Sequence, residues 1–232
     1  MPRTMRARRG GDGEPTLLLL HGLGATADVW QVWEPFLAAG WPGRWIAPDL
    51  PGHGGSDPLP RYSFGSVAAA VADLLDADET VIVVGHSMGG VVGLTLASGW
   101  FGARIEAVVG VGIKVSWTDD EVARARAVAD RPVTWFATRE EAAARYLRVS
   151  GLTALLAVDD PATVAGLRAD DGNWRLAQDP TTFAVGAPDM AGLLNASRAR
   201  VTLARGEHDP MVTDEELAGL DPSAVTLGGL GH

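Results

Sequence analysis

Six short apolar runs punctuate the chain: Thr16–Leu20, Arg44–Pro48, Thr80–Val84, Ile105–Val111, Arg200–Leu203 and Ala224–Leu227. Each is rich in Leu or β-branched residues, and each is followed by glycine or another turn former. The runs are continuous rather than alternating, the pattern of strands covered on both faces. Helices are predicted between them over Val29–Ala39, Ser66–Leu75 and Met88–Ser98. Strand–helix alternation of this kind predicts right-handed β-α-β crossovers. The expected fold class is therefore α/β, with a doubly wound, mostly parallel sheet.

The alternation stops between Lys114 and Ser197, where the pattern predicts helices and loops but no strand. Thr118-Asp-Asp-Glu121 and Thr138-Arg-Glu-Glu141 have capping-box spacing, with helices expected to Ala129 and Val149. Asp160-Pro161 starts a third helix, and Asp189 caps a short fourth. A helical insert between parallel strands sits over their C-terminal ends, where ligands bind. Residues 1–113 and 198–232 are thus expected to form a core, and residues 114–197 a helical lid.

Composition narrows the chemistry. Apolar residues make up 47% and charged residues 21%, enough for a sizeable core in 232 residues. Cysteine is absent, which excludes disulfides, thiolate metal sites and a cysteine nucleophile. The histidines stand at 21, 53, 86, 208 and 232, without metal-ligand spacing. No apolar run reaches the ~18 residues of a membrane span. The formal net charge of −10 argues against a nucleic-acid partner. Residues 1–11 carry Arg3, Arg6, Arg8 and Arg9 and no acid. No apolar stretch follows them, so they are expected to be a solvated strand or arm of a cytoplasmic protein rather than an export signal.

The strongest chemical signal is Gly85-His-Ser-Met-Gly-Gly90, between a predicted strand and a predicted helix. Small residues two before and two after Ser87 permit a tight turn that lifts the serine above the sheet. The following helix points free N–H groups at any oxyanion formed there. His21-Gly-Leu-Gly24 ends the first apolar run and can present a second donor, which makes Leu23 and Met88 the candidate oxyanion hole. Asp209 and His232 both follow predicted strands, on the same edge as Ser87, in the chain order Ser–Asp–His.

These motifs, with Asp49-Leu-Pro-Gly-His-Gly-Gly-Ser-Asp57, resemble the α/β-hydrolase superfamily, specifically its lid-bearing esterases, lipase-like enzymes and C–C bond hydrolases. The resemblance implies Ser87 as nucleophile, Asp209 as acid and His232 as base. It implies hydrolysis of a small to mid-sized, largely apolar ester through an acyl-enzyme, with no cofactor or metal and a small molecule as the partner. Activity is expected to fall at acid pH as His232 protonates. Serine at 87 argues against dehalogenases and epoxide hydrolases, which resemble this chain but carry Asp there. A C–C bond hydrolase is the nearer alternative, although many of these have Asn where His86 stands. A ligand-binding protein on the same fold is the third reading.

Other side chains are assigned structural duties. His21 and His86 are expected to hydrogen-bond locally, His53 to hold its turn, and Asp49 and Asp57 to order their loop. His208, beside Asp209, is a weaker base candidate. Trp117 and Trp135, near the lid entry, are the candidate substrate contacts. Arg124 and Arg126, or Arg145 and Arg148, are candidates to meet an anionic substrate, but the expectation is solvated helix faces paired with nearby acids. The resembling family continues past this histidine with a helix, so the chain is expected to be part of a longer protein.

Overall fold

The computed structural model describes residues 4–232, so Arg3 of the predicted arm lies outside the described residues. The strands are β1 (Ala7–Gly10), β2 (Thr16–Leu20), β3 (Trp45–Pro48), β4 (Thr80–His86), β5 (Arg104–Val111), β6 (Leu167–Asp170), β7 (Asn173–Leu176), β8 (Arg200–Gly206) and β9 (Val225–Leu227). All but β6 and β7 join one sheet in the order β1-β3-β2-β4-β5-β8-β9. Only β1 runs antiparallel in it. The fold is the expected α/β class with a mostly parallel sheet.

Strand β2 shows why the runs are unbroken. Side chains alternate across a strand. Leu18 and Leu20 enter one core with Val83, Val91 and Leu94. Leu17 and Leu19 enter the other with Ala27, Trp30 and Leu37. Both faces are covered, so no polar position is left in Leu17–Leu20. Helices α1 (Glu34–Gly40), α2 (Phe64–Ala72) and α3 (Met88–Ala97) supply the cover. The predicted helix Val29–Ala39 is in fact a 3-10 segment, Ala27–Trp33, followed by α1. Pro35 stands in the first turn of α1, and its missing N–H cannot continue a helix through that point.

Residues 114–197 hold α4 (Asp119–Ala129), α5 (Arg139–Val149), α6 (Pro161–Ala165), a 3-10 segment (Pro180–Val185) and α7 (Met190–Ala196). The predicted capping boxes at Thr118 and Thr138 both form. The expectation of no strand here fails, because β6 and β7 pair as an antiparallel hairpin. Its two-residue turn, Asp171-Gly172, has φ of 45° and 76°, the left-handed pair that suits a tight hairpin. A small core of Ala142, Ala143, Tyr146, Leu147 and Leu167 lies beneath it. Helix α7 instead packs into the main core through Met190. After β8, helix α8 (Asp214–Leu220) leads to β9.

Parallel register sets the position of the site. Leu20 pairs with Gly85, His86 with Val111, Val111 with Ala204, and Gly206 with Leu227. The C-terminal ends of β2, β4, β5, β8 and β9 therefore share one edge, and every signal motif lies on it. No helix among the described residues is long and apolar enough to cross a membrane.

Candidate active site

Ser87 stands alone between the end of β4 and the start of α3, at φ 50° and ψ −118°. A side-chain-bearing residue there stores on the order of 1–3 kcal/mol of strain, so its surroundings must over-determine it. They do so through two backbone bonds. Ser87 N–H donates to the Val111 carbonyl at 2.8 Å, and Gly90 N–H donates to the Ser87 carbonyl at 3.0 Å.

The loop after β2 is held against this turn. A Cβ on Gly22 would lie 3.4 Å from that of Ser87 and 2.8 Å from His86 Nδ1, so only glycine allows the approach. His21 and His53 pin the loop from behind. Leu50 N–H donates to His21 Nε2 at 2.9 Å, leaving His21 Nδ1–H to donate to the Gly22 carbonyl at 2.8 Å. Gly24 N–H donates to His53 Nε2 at 3.2 Å, and His53 Nδ1–H donates to the Pro51 carbonyl. Both roles require neutral rings. Burial lowers the pKa of His21, and burial together with the neighbouring His21 pushes that of His53 down to about 3. Asp49 accepts from Ala27 and Gly55 N–H, and Arg6 bridges it to Asp28. The expected strand forms as β1, but Arg6 and Arg8 are tied to carboxylates rather than left to solvent. The N–H groups of Leu23 and Met88 have no protein acceptor among the described residues.

Asp209 and His232 meet at the other end of the edge. His232 Nδ1 lies 3.1 and 3.0 Å from the two Asp209 oxygens, and the Asp209 side chain is fully buried. Asp209 Oδ1 also accepts from Met211 N–H at 2.8 Å. Buried Arg205 clamps this loop, donating to the carbonyls of Val212, Glu207 and Asp209. The His232 loop is tied back by His208 N–H to the Leu230 carbonyl and by Gly229 N–H to the Glu207 carboxylate. The His208 side chain itself is exposed.

His86 links the two ends. Its ring lies 4.8 Å from that of His232. A Cβ on Gly112 would fall 3.2 Å from His232 Nδ1, 3.3 Å from His86 Nε2 and 3.4 Å from Asp209. The expected local hydrogen bond of His86 does not form, and its buried Nε2 has no partner among the described residues. Burial, and then repulsion from His232, push its pKa down to about 4. No hydrogen bond joins Ser87 Oγ to His232 among the described residues.

A cavity of about 260 Å³ opens above Ser87. Leu23, Met88, Val91, Trp117, Phe183 and Met211 give it largely apolar walls, and Lys114, Glu121 and Arg126 also line it. Lys114 donates to Glu121 at 2.9 Å. The Thr118 backbone N–H and then Lys114 hold the Glu121 carboxyl down at about 2. Asp209 and His232 do not line this cavity. No group of three or more His, Asp or Glu among the described residues is placed to hold a metal ion.

The alpha/beta hydrolase family model matches residues 17–232, nearly the whole chain. The chain belongs to the alpha/beta hydrolase family. Esterase Rv0045c of Mycobacterium tuberculosis is 29% identical over 243 residues, covering 97% of this hydrolase and 76% of the esterase. The solved thioesterase domain from a curacin biosynthetic pathway superimposes with a TM-score of 0.79. At 24% identity, covering 99% of this chain and 90% of that one, the likeness is one of fold. Against several curated relatives the aligned stretch is short. An uncharacterized protein of Mycobacterium tuberculosis, Rv2715, is 41% identical over 95 residues, 40% of this chain and 27% of that protein.

The hydrolase departs from its sequence expectations in two further places. Trp117 lines the cavity, but Trp135 does not; it is 45% exposed and lies beneath the Arg175 guanidinium at 5.6 Å. Arg124, Arg126, Arg145 and Arg148 form no ion pair among the described residues, although Asp120 stands one turn before Arg124 and Glu141 one turn before Arg145. Sequence reasoning missed Arg205 and Phe183. Arg205 is the penultimate residue of β8, buried after Leu203 and Ala204, and that charge next to an apolar run was the available signal. Phe183 reaches the cavity from a segment with no motif.

Proposed function

We propose that the hydrolase cleaves a carboxylic ester of a small molecule through Ser87, His232 and Asp209. One observation carries the reading. Ser87 is held at a strained strand–helix turn, beside the two unused N–H groups of Leu23 and Met88, on the edge where His232 meets Asp209.

As Ser87 Oγ attacks the ester carbonyl, His232 Nε2 takes its proton, and the Leu23 and Met88 N–H groups hold the oxyanion. The tetrahedral intermediate expels the alcohol, which leaves with the proton from His232. Water, deprotonated by the same ring, then attacks the acyl-enzyme and releases the acid and free Ser87. Asp209 fixes Nδ1 as the protonated nitrogen throughout. Such catalytic hydrogen bonds often tighten only with substrate present, so His232 is expected to close on Ser87 in the complex. Of the expected lid, residues 114–197, the part before α7 acts as the cover over the acyl group, since α7 packs into the main core through Met190.

Fluorophosphonate labelling tests the reading. Labelling of the parent, absent in Ser87→Ala, is the expected result; an unlabelled parent that is folded overturns it and leaves a ligand-binding protein. Turnover of a p-nitrophenyl ester but not of a ring-fission diketone separates ester cleavage from C–C cleavage.

A further inference from the structure

A second cavity, of about 110 Å³, adjoins the first, and Phe183 lines both. Together their walls carry five ionisable side chains: Lys114, Glu121 and Arg126 in the first, Arg131 and Arg145 in the second. Lys114 and Glu121 neutralise each other. The three arginines have no ion pair among the described residues. Elsewhere Arg6, Arg8, Arg44, Arg139, Arg200 and Arg205 are tied to carboxylates, and other arginines such as Arg61 and Arg104 are exposed and unpaired among the described residues; what sets these three apart is that they line adjoining cavities. The lining is therefore positive in a chain whose formal net charge is −10.

The helix dipole accounts for only one of these three cations. The dipole of α4 favours Arg126 in its last turn, but Arg131 lies beyond that helix and Arg145 sits in the middle of α5. A guanidinium offers a planar fork of donors that fits a carboxylate or a phosphate. A cleft lined by one sign of charge concentrates ligands of the other sign, whatever the net charge of the molecule.

We infer that the substrate carries a carboxylate or phosphate on the part remote from its reacting carbonyl, held past Phe183 by Arg126, Arg131 and Arg145. The largely apolar ester implied by the family resemblance is replaced by an ester with an apolar middle and an anionic end. The inference rests on Ser87 marking the reacting end of the cavity.

The test is binding to the Ser87→Ala protein, which needs no turnover. Three probes are compared by calorimetry: a straight-chain methyl ester ending in a methyl group, the same chain ending in a carboxylate, and the same chain ending in a phosphate. One or both anionic probes are expected to bind about tenfold tighter than the neutral one at low ionic strength. The advantage is expected to shrink several-fold in about 0.5 M salt. It is expected to vanish in the added triple variant Arg126→Gln, Arg131→Gln, Arg145→Gln, where all three probes bind alike. The better anionic arm names the source of the charge. Equal binding of all three probes to Ser87→Ala overturns the inference, as does a preference unaffected by salt. Failure of fluorophosphonate labelling is a separate result, and counts against the ester chemistry alone.

Discussion

The floor of the cavity and its roof are built by different means. The floor is backbone: Ser87, the free N–H groups of Leu23 and Met88, and loops fixed by parallel register and by the neutral rings of His21 and His53. The roof is drawn from residues 114–186: Lys114 and Trp117, then Glu121, Val122, Ala125 and Arg126 of the capped helix α4, and Phe183 of the 3-10 segment, set over the same space. A floor of this kind fixes where atoms react, to within a hydrogen bond. A roof of this kind chooses what enters, and it can be rebuilt without disturbing the sheet. Changes below should therefore alter rate, and changes above should alter KM.

The largest break is expected at the acid. Asp209→Asn keeps an acceptor for Met211 N–H but no longer fixes the His232 tautomer, so kcat should fall about 10⁴-fold with melting temperature nearly unchanged. A fall below tenfold in ester turnover would remove Asp209 from the chemistry.

Next comes pH. Unfolded, His53 protonates near 6.5; folded, it stays neutral down to about 3. The unfolded chain thus takes up the proton first. Stability from this site is complete above about pH 6.5 and is lost as pH falls towards 3, by on the order of 3 kcal/mol at pH 4. His86 works in the same direction. His53→Gln should melt lower than the parent at pH 7, yet show a shallower fall in melting temperature between pH 6.5 and 4. An unchanged slope would show that His53 titrates freely in the folded protein.

The roof effects are smaller. Trp117→Ala removes an apolar wall above Ser87 and should raise KM several-fold, about 1 kcal/mol, with kcat within twofold. Trp135→Ala, outside the cavity, should leave both constants within twofold and stability within ~0.5 kcal/mol. A larger effect on KM from Trp135 than from Trp117 would reverse the assignment of walls.

The floor was the more legible region, because its signals are local. A tight strand–helix turn needs glycines at fixed offsets from Ser87, and a two-sided strand needs an unbroken apolar run, as in Leu17–Leu20. The roof was legible only where caps are local, at Thr118 and Thr138. The hairpin was missed because Leu-Arg-Ala-Asp is short and charged, although the Asp171-Gly172 pair carries a hairpin signal of its own. The clamp of Arg205 and the reach of Phe183 into both cavities depend on distant partners, which no local pattern encodes. The unpaired arginines are the same case. Composition gave the sign of the whole molecule, and the cavity has the opposite sign.

The positive φ of Ser87 sets evolution and function against each other. Glycine occupies that conformation without cost, so Ser87→Gly is expected to melt at a higher temperature than the parent while losing all turnover. Selection for endurance alone would replace this residue early. A descendant freed from catalysis would therefore betray itself first at position 87, by becoming sturdier there.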